Sequence, residues 1–115
     1  MSPPVPPMLE GHVCWILGPD GRTPVAVDLA RGAAWMNAHG PVRVALDAGP
    51  SWEVSTVFLA RFVPEGVRPD PFETRLRRRG APNRTEPGAT WEEAEGNHLA
   101  AVAALARPDP LPRPQ

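Results

Sequence analysis

Apolar and polar residues alternate most sharply at residues 51 to 62, "SWEVSTVFLARF". Trp52, Val54, Thr56, Phe58, Ala60 and Phe62 fall on one side of a period-2 pattern, and Glu53, Ser55, Val57, Leu59 and Arg61 on the other. This predicts one continuous strand. Its aromatic side, with Trp52, Val54, Phe58 and Phe62, is expected to face helices, and its second side sets Val57 and Leu59 between Glu53 and Arg61.

The flanking segments carry their own signals. "HVCWIL", "GPDG" and "RTPVAV" predict a hairpin, with Pro19 presetting the turn and Gly21 free to take the left-handed conformation. Asp28 is placed to cap a helix through "LARGAAWMNAHG", with Leu29, Ala33, Trp35 and Met36 toward the core and Gly40 and Pro41 as the stop. "VRVALD" reads as a strand alternating Val42, Val44 and Leu46 with Arg43. "PFETRLRR" reads as a further strand, and "RGAPNRTEPGA" as a Gly/Pro-rich loop. In "TWEEAEGNHLAAVAALA", Thr90 and Glu93 form a capping box ahead of a stripe of Ala94, His98, Ala101, Val102 and Leu105. The order β-β-α-β-β-β-α predicts an α+β fold, an antiparallel sheet of about 4–5 strands with both helices on one face.

The segments "ILGPDGRTPVAVDLARGAAWMNAHGPVRVAL", "VSTVFLARF", "PFETRLRRRG" and "ATWEEAEGNHLAAVA" resemble, in this order, a family of small uncharacterised proteins encoded by bacteriophages, prophages and bacteria. The resemblance runs from about residue 13 to 105 and is carried by Val54 to Leu59, Phe72 to Thr74 and Thr90 to His98. Family members have "VSTVFLGLDH"-like and "LFETMVFGG"-like strands and a "TWEEAEAGH"-like helix. This chain departs from them at Ala60, Arg61 and Phe62, in place of the glycine and Asp-His pair, and at Arg75, Leu76 and Arg77, in place of "MVF". The resemblance implies a phage or mobile-element setting and no activity.

Composition narrows the picture. The 115 residues suffice for one core. The 17 prolines concentrate in "MSPPVPP" and "RPDPLPRPQ", so residues 1–9 and 107–115 are expected to be disordered or polyproline-like tails around a single domain at 10–106. A net charge of −1 provides no bulk drive toward nucleic acid or acidic membranes. The lone Cys14, within an apolar run, suits a reducing compartment. Neither a signal-peptide pattern nor an apolar run of about 18 residues is seen, so a cytoplasmic location is expected and a membrane association is not.

Candidate chemistry is sparse. His12 and Cys14 could share a strand face, but no ligand spacing supports a metal site, and no metal or cofactor is expected. His98 could serve as an acid or base if Glu73 or Glu95 partnered it, yet its place in an apolar stripe fits a packed histidine better, and no catalytic residue is assigned. Ser55 and Thr56 lack the context of a nucleophile. Arg75, Arg77, Arg78, Arg79 and Arg84 form a basic cluster able to grip phosphates or to guard a sheet edge. The expected function is a non-catalytic protein-binding module, engaging a host protein or a second copy as a homodimer, through Trp52, Glu53, Val57, Leu59, Arg61 and Trp91. The alternative is a nucleic-acid-binding accessory protein using the arginine cluster.

Overall fold

The computed structural model describes residues 9–106, so both proline-rich tails lie almost wholly outside the described residues. The architecture is α+β. In chain order the elements are β1 (His12–Leu17), β2 (Pro24–Val27), α1 (Leu29–His39), β3 (Val42–Ala48), β4 (Trp52–Phe58), β5 (Arg61–Pro64), β6 (Phe72–Arg78), β7 (Arg84–Gly88) and α2 (Trp91–Leu105). The strands are antiparallel and form two sheets, ordered β2-β1-β5 and β3-β4-β6-β7, where one sheet of about 4–5 strands was expected. Each helix accordingly has its own sheet: α1 packs on β1, and α2 lies across all four strands of the larger sheet.

Local chemistry sets the element ends. In the first hairpin, Gly18 N–H donates to Thr23 O (2.8 Å) and Gly21 takes φ 71°. The Asp20 carboxylate accepts the Thr23 hydroxyl and the amides of Thr23 (2.8 Å) and Arg22 (2.9 Å). Asp28 caps α1 by accepting the Arg31 amide at 2.8 Å, and Thr90 caps α2 by accepting the Glu93 amide at 3.1 Å. The inward side of α1 runs through Leu29, Gly32 and Trp35, leaving Ala33 and Met36 exposed instead of on the core side. Gly32 is buried because the helix crosses Cys14 so closely that a β-carbon there would overlap the cysteine side chain.

The stretch 51–62 divides in two. β4 ends at Phe58, whose ring stacks edge-on against Trp35 and Phe72, and the Leu59 amide turns away to donate to Pro71 O at 2.8 Å. After Ala60 the chain joins the other sheet, with Phe62 opposite Cys14 and Arg61 opposite Trp15. Phe62 thus lies on the smaller sheet rather than the larger one, on the face of Cys14 that α1 crosses, and is 37% exposed there instead of buried. The segment read as a loop also contains β7, a strand at the edge of the sheet, where Pro87 is tolerated because its outer side needs no ladder donor. Leu17, Phe58, Phe72 and Ala94 form the core, sealed by Trp35, Val42, Val44, Ala60 and Trp91.

One irregularity sets up the candidate site. The β3–β4 register shifts between Arg43 and Ala45, and beyond it Ala45 faces Thr56, Leu46 faces Ser55, and Asp47 faces Val54. Unbroken alternation from Val42 would turn Leu46 inward. The bulge instead puts Leu46 on the outer face, 44% exposed, and Asp47 on the α2 side.

Candidate functional site

Beneath α2 a chain of polar groups runs through the core. Thr74 Oγ1 lies 2.8 Å from Thr56 Oγ1, which lies 2.8 Å from His98 Nδ1, and His98 Nε2 lies 2.7 Å from Asp47 Oδ2. Both threonines and His98 are buried, whereas the Asp47 side chain is 56% exposed. One assignment gives each hydrogen an acceptor: Thr74 donates to Thr56, Thr56 donates to Nδ1, and Nε2–H donates to the Asp47 carboxylate. A neutral imidazole is then fully satisfied, as burial requires.

The partner of His98 is thus Asp47 and not Glu73 or Glu95, which pair with Arg75 and Arg22. Hydroxyl, imidazole and carboxylate stand in the order used by nucleophilic catalysts, but inside out. The hydroxyl is sealed in the core and the carboxylate meets solvent, so no substrate can reach Thr56 Oγ1. The chain is a clamp between α2 and the sheet.

The opposite face of the larger sheet is open. Cross-strand register sets out three rows: Ala48, Glu53 and Arg77; Leu46, Ser55, Arg75 and Thr85; Arg43, Val57, Glu73 and Pro87. Glu73 accepts from Arg75 at 3.1 Å, and Glu53 sits opposite Arg77. Charges of both signs therefore surround an apolar strip of Leu46 and Val57.

The residues singled out from sequence are spread over several places. Glu53 and Val57 are on the open face, while Trp52 takes the other parity with its indole over Gly49. Leu59 is in the link between the sheets and Arg61 in β5. Trp91 opens α2, edge-on to Phe72. Of the arginine cluster, Arg75 and Arg77 lie on the open face, Arg78 pairs with Trp52 in register, Arg79 N–H donates to Ser51 O, and Arg84 is opposite Leu76. The open face gains Leu46, which the bulge brings out and which no sequence signal marks.

A cleft of about 100 Å³ separates the smaller sheet from the start of α2. Trp15 and Trp91 wall it, together with Arg22, Arg68, Pro69 and Glu92. The Arg22 guanidinium lies 5.1 Å from the Trp91 ring centroid and that of Arg68 lies 5.9 Å from the Trp15 ring. Both indole nitrogens are buried without an acceptor.

Among the described residues no three His, Cys, Asp or Glu side chains converge on a metal position. Cys14 is sealed under α1, and burial pushes its thiol pKa up. No helix among the described residues is long and apolar enough to cross a membrane. No family model, curated protein or solved structure matches the chain.

Proposed function

We propose that this chain is a non-catalytic protein-binding module whose working surface is the open face of the β3-β4-β6-β7 sheet. The observation that carries this reading is the apolar strip of Leu46 and Val57 framed by Glu53, Glu73, Arg75 and Arg77, with α2 on the other side of the sheet. Such a surface suits a protein partner with a small apolar patch and charges of both signs around it. The resemblance to phage- and prophage-encoded proteins gives the setting, an inhibitor or adaptor acting on a host protein in the cytoplasm.

The alternative, nucleic-acid binding through Arg75, Arg77, Arg78, Arg79 and Arg84, is less well supported. Glu73 and Glu53 neighbour two of those arginines and oppose a phosphate backbone. The test is capture of a host protein by the tagged full-length chain. Leu46→Asp is expected to abolish capture, and Leu99→Asp, on the exposed side of α2, to leave it intact. Capture indifferent to Leu46→Asp, or lost equally in both variants, overturns the proposal.

A further inference from the structure

We propose that β3 pairs antiparallel with β3 of a second copy of this chain, joining two four-stranded sheets into one continuous sheet. A strand at a sheet edge presents unpaired N–H and C=O groups, and proline, charge or shortness blunts most such edges. The two sheets have four edge strands, and three are blunted in this way: β2 holds Pro24, β5 holds Pro64 and β7 holds Pro87, in strands of 4, 4 and 5 residues. β3 runs for 7 residues without a proline. β4 lies on one side of it and α2 beneath it, and among the described residues no turn or loop backbone bonds to its outer side. The bulge guards only its start, because from Ala45 to Ala48 the ladder with β4 is regular. Main-chain bonds along this edge would hold an added strand.

The regular part of β3 is complementary to itself in one register. A two-fold axis normal to the sheet puts both α2 helices on the same side, and residues directly opposite each other must then share a face. Ala45 and Asp47 lie on the α2 side, Leu46 and Ala48 on the open face, and Val44 packs against the core. Centring the pairing on Ala45 would oppose inward Val44 to outward Leu46. Centring it on Asp47 would set two carboxylates directly opposite, which is destabilising, and centring it on Ala48 would put most partners beyond the strand end. Leu46 remains. It faces Leu46 of the second copy, and Ala45 faces Asp47, where a methyl group leaves the bond from His98 intact.

The pairing gives the exposed leucine a partner. Leu46, 44% exposed in one copy, is covered by its counterpart. The open faces merge, with Val57 of each copy diagonal to Leu46, so the apolar strip doubles in length. None of this depends on what that face binds.

The test uses the full-length protein. Sedimentation velocity over a range of concentrations is expected to show a monomer–dimer equilibrium. Leu46→Glu and Leu46→Lys each set like charges opposite each other at the axis and are expected to stay monomeric, and their equimolar mixture to regain the dimer. Under mild oxidation Leu46→Cys is expected to form a disulfide-linked dimer, because opposed β-carbons lie about 4.5–5.5 Å apart. Ser55→Cys, one strand further in, puts its two thiols about 14 Å apart and is expected to give none. Cys14 is sealed under α1 and stays silent. A wild-type monomer at every concentration, a mixture no more associated than its components, or cross-linking of Ser55→Cys equal to that of Leu46→Cys overturns the proposal. A monomer that captures its host protein overturns this pairing and leaves the sheet-face proposal standing.

Discussion

Replacing His98 by alanine isolates the clamp between α2 and the larger sheet. The substitution removes the bond from Thr56 and the bond to Asp47, together with a buried ring above the Thr56–Thr74 pair. Two net hydrogen bonds at about 1 kcal/mol each come to about 2 kcal/mol. The cavity adds about 1–2 kcal/mol, giving a loss of about 3–4 kcal/mol. Thr56 and Thr74 keep each other as partners and Asp47 turns to water, so no orphaned buried charge enlarges this figure. Against a total of about 5–15 kcal/mol for a small domain, the change is large. With a urea dependence of about 1.5 kcal/mol/M, the unfolding midpoint is expected to fall by about 2 M. Asp47→Asn is the control. Its amide oxygen can accept the same Nε2–H at an exposed position, so a loss of no more than about 1 kcal/mol is expected. A midpoint shift under about 0.5 M for His98→Ala refutes the clamp, and an Asp47→Asn loss equal to that of His98→Ala refutes the neutral-imidazole assignment.

Gly32→Ala gains about 1 kcal/mol of helix propensity and yet is expected to destabilise the protein, because the new β-carbon overlaps Cys14 and costs about 1–3 kcal/mol or more; a raised melting temperature contradicts the packing described. The Thr23 hydroxyl, then the Thr23 and Arg22 amides, lower the pKa of Asp20 from 3.8 to about 2. Its stabilisation of the hairpin is therefore fully present above pH 3.8 and lost as pH falls through about 2. An NMR titration of the Asp20 carboxyl carbon should show that low midpoint, and an ordinary carboxylate midpoint counts against it. Cys14, buried and with a raised pKa, is expected to react with a thiol reagent only at the rate of unfolding or local opening. Fast labelling of the native protein contradicts its placement.

The parts that the sequence predicts well are those set by short-range chemistry. Asp28, Thr90, Gly21 and Gly40 act through neighbours a few residues away, so the hairpin and both helix starts were legible. The break at Leu59 was not, because the link of Leu59 and Ala60 preserves the period-2 parity from Phe58 to Phe62 while the chain changes sheets. β7 was hidden by Pro87 and Gly88, residues disfavoured in strands and tolerated here at a sheet edge. The bulge between Arg43 and Ala45 had the widest effect. It exchanges the faces of Leu46 and Asp47, so the partner of His98 and the apolar centre of the open face were both out of reach of a pattern argument. His98 itself was legible as a packed histidine from its place in the stripe of α2.

Methyl-labelled NMR of the full-length protein, titrated with the host protein that it captures, tests the proposed function most directly. Perturbation concentrated at Leu46 and Val57, with Leu99 unaffected, is the predicted result. Perturbation at Leu99 with Leu46 and Val57 silent would contradict it.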